Sequence, residues 1–253
     1  MTGSPKLEVR ALHVRYGRVS AVRGLDLAVP AGSICAIIGP ARSGKTSLLR
    51  TINLLSLEVD GAEADGRILV DGEDILRSDI DRSRLRRRIG MVFATPQPLP
   101  GTIRDNLLYG PRLAGVRGSA QLAALVESSL RAAQLWDEVK DRLDNSAFAL
   151  SGGQQQRLCL ARTIALAPEI VLLDEPCSGL DPISTLKIEE AMRALRSRFT
   201  WVLVTNNTKQ AARVSDRTAF LLGGELVEEG PTAQLFTAPR DARTGDYVEG
   251  RFG

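Results

Sequence analysis

Gly39-Pro40-Ala41-Arg42-Ser43-Gly44-Lys45-Thr46 fits the pattern GxxxxGK[ST], and its surroundings decide the fold class. It follows the apolar run Ser33-Ile-Cys-Ala-Ile-Ile38 and precedes Ser47-Leu-Leu-Arg-Thr-Ile-Asn53. Strand, glycine-rich turn and helix in that order are the context a phosphate-binding loop needs. Backbone N–H groups in such a turn wrap phosphate oxygens, and the helix N-terminus adds a favourable field. Lys45 is placed to reach β- and γ-phosphates, and Thr46 to put its hydroxyl on Mg2+. A plain surface turn has no need of the strand, the lysine and the threonine together.

Ile170-Val-Leu-Leu-Asp174-Glu175 is an apolar strand ending in two carboxylates. Strands buried in a parallel sheet read as continuous apolar runs, and ligands gather at strand carboxyl ends in open α/β sheets. Asp174 is therefore the expected second holder of Mg2+. Glu175 is placed to take a proton from an attacking water. Taken alone, the pair reads equally well as the cap of a loop before Pro176; the phosphate loop gives the catalytic reading precedence.

Leu150-Ser-Gly-Gly-Gln-Gln-Gln-Arg157 completes the set, and together these segments resemble an ABC-type ATPase subunit. The resemblance covers nearly the whole chain. It implies a P-loop NTPase core of α/β class with an antiparallel β flank and an inserted α-helical subdomain. The expected core is 1–95 and 155–253, with about 96–154 as the helical subdomain carrying the signature. In that family the signature, here Ser151, Gly152, Gly153 and Gln154, binds the γ-phosphate of ATP held by the other subunit. Ser178-Gly-Leu-Asp181 resembles the family's D-loop. Tyr16 lies where the family sets an aromatic ring against adenine, although a core or strand-surface tyrosine competes as a reading. The resemblance thus implies ATP at Tyr16, Gly39, Pro40, Ala41, Arg42, Ser43, Gly44, Lys45, Thr46, Ser47, the four signature residues and Asp181. Mg2+ is expected at Thr46 and Asp174, and catalysis from Glu175, Lys45 and Asn206.

A narrower resemblance is to phosphate-importer ATP-binding subunits. It rests on Pro96-Gln-Pro-Leu-Pro100, Leu135-Trp-Asp-Glu-Val-Lys-Asp-Arg-Leu143 and Asp174-Glu-Pro-Cys-Ser178. Asp181-Pro-Ile-Ser-Thr185, Gln210-Ala-Ala-Arg-Val-Ser-Asp216 and the closing Asp246-Tyr-Val-Glu-Gly-Arg-Phe-Gly253 follow the same pattern. The implied partners are a second ATPase subunit, identical or paralogous, two membrane permease subunits and, indirectly, an extracytoplasmic phosphate-binding protein. The implied place is the cytoplasmic face of the cell membrane.

Three positions depart from the family pattern. Arg42 stands where glycine is common, and a left-handed backbone there costs an arginine about 1–2 kcal/mol. Ala94 occupies the Q-loop glutamine position and has no donor or acceptor; Gln97, three residues on, reaches the site only if the loop is rerouted. Asn206, in Thr205-Asn206-Asn207, replaces the switch histidine. Its amide can donate to a phosphate but cannot become cationic or shuttle a proton. Loss of one oriented transition-state donor costs roughly 3–4 kcal/mol, and coupled losses do not add. The departures define an alternative function, a regulatory or asymmetric-pair subunit with weak hydrolysis.

Bulk properties agree with a nucleotide-binding α/β chain. The 253 residues suit one such domain, and 43% hydrophobic residues allow a sizeable core. A net charge of +3 is too small to argue for nucleic acid. Cys35, Cys159 and Cys177 lack metal-ligand spacing and read as incidental thiols. No run approaches the ~20 apolar residues of a membrane helix, and Met1-Thr-Gly-Ser-Pro-Lys6 lacks a signal-peptide apolar region.

Along the chain, Leu7 to Val29 reads as strands turning at Gly17 and Gly24. Glu58 to Gly66 reads as an acidic loop and Arg67 to Val70 as a short strand. Arg82 to Arg88 is a basic run read as a solvated helix face. Thr102 to about Leu143 is helix-rich, with Ala123 to Val126 and Leu130 expected on one face. Trp136 and Trp201 read as core, His13 as an exposed strand residue, and Arg217 to Glu228 as a hairpin turning at Gly223-Gly224.

Overall fold

The computed structural model describes residues 5–77 and 79–251. Residues 1–4 of the N-terminal stretch and the last two residues of Asp246–Gly253 lie outside the described residues. In chain order the strands are β1 Leu7–Tyr16, β2 Val19–Val29, β3 Ile34–Ile38, β4 Ala62–Val70, β5 Glu73–Asp74, β6 Ile89–Val92, β7 Ile170–Asp174, β8 Thr200–Val204, β9 Arg217–Leu222 and β10 Glu225–Pro231. The helices are α1 Lys45–Ile52, α2 Arg82–Arg88, α3 Ile103–Leu113, α4 Ser119–Ala132, α5 Trp136–Val139, α6 Gly152–Ile164, α7 Pro182–Ala194, α8 Thr208–Val214, α9 Thr232–Thr237 and α10 Ala242–Val248.

Two sheets divide the strands. The smaller is antiparallel, in the order β2-β1-β4-β5. The larger runs β10-β9-β3-β8-β7-β6, parallel except for the β9–β10 hairpin. Every residue of β3, β7 and β8 is buried, as expected for strands covered on both faces. In the order β3-β8-β7 the carboxyl ends lie side by side: Val204 is paired with Ile37 on one flank and Asp174 on the other. That register brings Gly39, Asn206 and Glu175, from three distant stretches, to one edge.

One apolar cluster fills the space between the two sheets and receives Leu48, Leu49 and Ile52 of α1. A second lies on the opposite face of the large sheet. It joins Leu107 of α3, Val126 and Leu130 of α4 and Leu158 of α6 to Val171, Trp201 and Leu203 of the strands. The helical segment therefore shares its core with the sheet. A third, smaller cluster packs Phe220 and Leu235 against Ile38, with Tyr247 and Val248 at its margin.

Several local expectations need correction. Gly24 is not a turn: it lies inside β2 at φ 57, where the register with β1 slips between Leu12↔Leu25 and Val14↔Val22. An extra residue in one strand makes a bulge, which the positive φ of glycine accommodates. The acidic stretch 62–66 is strand rather than loop, because pairing of β4 with β1 extends to Tyr16↔Ala62. In α4 the inward face is Leu122, Val126, Ser129 and Leu130, while Ala123 and Ala124 are exposed. The basic helix α2 is largely neutralised within the chain. Arg82 and Arg86 meet Glu58, and Arg88 meets Glu169, Glu73 and Asp71. Trp201 is fully buried, edge-on to Phe199 at 5.8 Å. Trp136 is half-buried beneath the Arg131 guanidinium, 5.2 Å from its ring.

Candidate nucleotide site

β3 delivers the chain into Gly39 at φ 150, and Gly44 follows at φ 93. A Cβ on Gly39 would lie 2.1 Å from the Leu221 carbonyl oxygen, and one on Gly44 2.2 Å from that of Ala21. Both glycines are thus demanded by close backbone approach as well as by φ. The first turn of α1 has no acidic residue and no side-chain cap, so its N–H groups remain donors for an anion. Lys45 is buried, and its ammonium donates to the Gly39 and Pro40 carbonyls, each at 2.8 Å. Burial lowers its pKa, opposed by the charges of Glu175 and Asp174. Arg42 is exposed and adopts φ 63, so the left-handed cost of about 1–2 kcal/mol applies.

At the end of β7 the Asp174 carboxylate is buried and accepts from the Thr46 hydroxyl at 2.9 Å. Two hard oxygen atoms from separate elements thereby converge. Glu175 follows at φ 47, a conformation that strains a residue with a side chain. Its amide donates to Val204 O at 2.8 Å, and its carbonyl accepts from Ser178 N at 3.1 Å. Asn206 Nδ2 donates to Glu175 Oε1 at 2.5 Å. The turn carrying Asn206 is fixed on both sides: Asn207 N donates to Thr205 Oγ1 at 3.0 Å, and the Asn207 side chain caps α8.

Gly44, Lys45, Thr46, Glu175 and Asn206 line one groove of about 480 Å³, which also takes in Tyr16, Ala41, Arg42, Ser43 and Ser47, with Asp174 joined to it through Thr46. Gly39 and Pro40 sit behind it as the acceptors of Lys45. Ala94 lies beyond the end of β6 and outside the groove lining. Gln97 is exposed, with its carbonyl taken by Arg162 at 2.9 Å, and it is likewise outside the lining. A larger cavity of about 780 Å³ adjoins Glu175 and Asn206, walled by Ser178, Gly179, Leu180 and Arg213 among others.

Ser151, Gly152, Gly153, Gln154 and Asp181 do not enter that groove; they form a second group. Ser151 caps α6, and a reciprocal box links it to Gln154. Asp181 caps α7, accepting from Ser184 N at 2.9 Å and Ser184 Oγ at 2.6 Å. A Cβ on Gly153 would lie 2.1 Å from Ser184 Oγ, so the two helix starts fit only with glycine there. The groove and the group of Ser151 to Gln154 with Asp181 are separate surfaces of one chain.

Three contributors escaped the reading of the sequence. Gln156 donates to Phe93 O at 2.8 Å and Pro176 O at 3.0 Å, joining α6 to the segments beyond β6 and β7. Tyr247 of α10 stacks on Phe220 at 4.9 Å, and burial raises its pKa, opposed by the Gly39 backbone beside it. Glu138 accepts from both α6 and α7. All three lie in quoted motifs, but the roles of Glu138 and Tyr247 depend on contacts between distant segments. Burial raises the Cys35 thiol to about 12 and the Cys177 thiol to about 11, which keeps both protonated near neutrality.

A family model described as ABC transporter matches residues 22–178, more than half of the chain. The phosphate import ATP-binding protein PstB of Pseudoalteromonas translucida (strain TAC 125) is 51% identical over 252 residues, covering 100% of this chain and 92% of the relative. A bacterial Atm1-family ABC exporter solved with ATP bound superposes with TM-score 0.82 at 29% identity. This chain aligns over 100% of its length and spans 43% of that exporter chain. The cbiO1 protein of Clostridium perfringens, part of the transporter complex cbiONQ, also gives TM-score 0.82. Its identity is 22%, with 98% of this chain and 97% of that chain covered, a likeness of fold alone.

Proposed function

The chain belongs to the ABC transporter family, and from that premise we propose that it is the ATP-hydrolysing subunit of an inorganic phosphate importer. Two such subunits close head to tail over ATP, and closure drives two separate permease subunits between inward- and outward-facing states. The single observation that carries hydrolysis is the convergence of Lys45, Thr46 and the Asn206–Glu175 pair on one groove, with Asp174 behind it accepting from Thr46. The cargo rests on the 51% identity to a phosphate import protein across the whole chain.

The donor set suits Mg2+. Among the described residues no three His, Cys, Asp or Glu cluster as a metal cage; one carboxylate and one hydroxyl fit an ion held mainly through substrate phosphates. Thr46 and Asp174 would hold Mg2+, which when bound would supply positive charge to the phosphates. Lys45 and the open N–H groups of α1 hold the same phosphates, and Tyr16 borders the groove for the base. Glu175 takes the proton of a water as its oxygen attacks the γ-phosphorus; the bond to the β-γ bridging oxygen breaks, leaving ADP and inorganic phosphate. Asn206, by donating to Oε1, leaves Oε2 to receive that proton.

The weak-hydrolysis alternative is not favoured. Asn206 still supplies an oriented donor beside Glu175, so the histidine's replacement removes its titration but keeps a hydrogen bond.

For the permease, a groove of about 600 Å³ lies between α2, α3 and α6, lined in part by Arg87, Met91, Leu99, Tyr109, Leu113 and Leu166. Tyr109 and Leu113 are 58% and 72% exposed, a face suited to an amphipathic helix. No helix among the described residues is long and apolar enough to cross a membrane. Attachment at the cytoplasmic face then runs through the permease, with the phosphate-binding protein acting from the far side.

The test is steady-state Mg-ATP turnover by the purified chain, followed by ATP-dependent uptake of radiolabelled phosphate in vesicles carrying its permease subunits. Turnover that is absent, or uptake of another anion in preference to phosphate, would overturn the hydrolytic or the cargo part respectively.

A further inference from the structure

We propose that Glu138 is a positioning residue for the signature serine, holding Ser151 and the start of α7 in one arrangement so that both meet the partner subunit's nucleotide together. The proposal rests on the reading above that the signature closes on ATP held by a second subunit.

Glu138 stands in α5 and belongs to neither half-site by sequence. Its Oε1 accepts from Arg157 Nη1 at 2.6 Å and Lys187 Nζ at 2.5 Å. Its Oε2 accepts from Gln154 Nε2 at 2.9 Å and Arg157 Nη2 at 3.1 Å. One carboxylate thus gathers four donors from two helices, in the charge-assisted and partly bidentate geometry that gives the strongest such contacts.

From there two paths lead to the closing surface. Gln154 Oε1 accepts from Ser151 N at 3.1 Å, and Ser151 Oγ accepts from Gln154 N at 3.3 Å. Glu138 therefore fixes the rotamer of the residue that boxes Ser151. Lys187 lies on α7, the helix capped by Asp181, whose Ser184 fills the space against Gly153. Arg157, 3% exposed, ties the same carboxylate to the Gly153 carbonyl at 3.3 Å. Without the carboxylate, Arg157 and Lys187 lose their shared counter-charge and Gln154 is free to turn away from Ser151.

A brace that only stabilised the fold would act independently of Ser151. A positioning residue must be coupled to it, because its effect passes through that side chain. The experiment uses the full chain carrying Glu175→Gln, so that ATP persists. It measures two constants: ATP affinity of the monomer with a fluorescent analogue, and ATP-driven dimerisation by analytical ultracentrifugation. Glu138→Gln is expected to leave ATP affinity within about twofold and to weaken dimerisation about tenfold, as Ser151→Ala does; the double variant is expected to be no worse than Ser151→Ala. Should Glu138→Gln fail to fold, Lys187→Met, which removes one donor from a partly exposed position, is expected to weaken dimerisation about threefold with the same non-additivity. Dimerisation equal to the starting chain, or effects that simply add to Ser151→Ala, would overturn the role of Glu138 alone. A starting chain that does not dimerise with ATP, or a Ser151→Ala variant that dimerises as well as it does, would overturn the sandwich reading and this proposal together.

Discussion

The nucleotide groove and the signature surface are built on opposite plans. The groove contains two non-glycine residues held left-handed, Arg42 and Glu175, and the departures at Arg42 and Asn206 fall in it. At the signature surface, Ser151 through Gln154 and Asp181 all match the family, both helices are capped, and Glu138 binds them together. The left-handed Glu175 sits where the chemistry is proposed, whereas the two helix starts of the signature surface are each capped by a side chain. In the proposed dimer each chain supplies its partner with the unaltered half and keeps the altered half for itself.

The strongest way to break this comparison is at Glu175. Glu175→Gln is expected to lower ATP turnover at least about 10³-fold with little change in ATP affinity, read by phosphate release beside equilibrium binding. Equal loss of binding would mean that the carboxylate shapes the groove rather than the chemistry. Next is Asn206→Ala, which removes the donor holding Glu175 and is expected to cost roughly 10²-fold in kcat. Asn206→His sharpens the point: the variant should gain a limb in its pH–rate profile near pH ~6.5 that the native asparagine cannot produce.

On the signature side, Gly153→Ala drives a methyl into Ser184 and is expected to destabilise the fold by about 1–3 kcal/mol, measured by urea unfolding. Stability should also respond to acid. Arg157 holds Glu138 at about 2, and Arg88 holds Glu169 at about 2, against an ordinary 4.5. Because both are depressed in the folded chain, their contribution is complete above 4.5 and is lost as pH falls toward about 2. Glu138→Gln should therefore make stability fall less steeply over that window. The smallest expected effect is Arg42→Gly, which relieves the left-handed arginine and should add about 1 kcal/mol by the same unfolding assay.

The strand–turn–helix around Gly39 to Thr46, the strand ending at Asp174 and the helix opened by Ser151-Gly-Gly were legible because each is a short run whose pattern lies within neighbouring residues. The parallel sheet was legible for a related reason: 34–38, 170–174 and 200–204 are unbroken apolar strands. What stayed hidden needed a partner from elsewhere. Gly24 looks like any turn glycine until β1 supplies the register that makes it a bulge. Ala62-Glu-Ala-Asp-Gly66 looks like a loop until β1 pairs with it. Glu138 and Tyr247 gain their roles from donors 16 to 49 residues away in one case and from the first glycine of the phosphate loop in the other. Arg42 was the intermediate case, since the sequence posed the question of its φ and only the backbone answers it.

The placement of β3 has a consequence for how the protein is made. Its two neighbours in the sheet are β8 and β9, residues 200–204 and 217–222, and Gly39 is closed over by Leu221 and Tyr247. On the ribosome the phosphate loop emerges well before β8 and β9, so its strand has both edges unpaired until they have followed. Until β8 and β9 have been made, a nascent chain therefore carries an unpaired apolar strand, the kind of edge that invites aggregation.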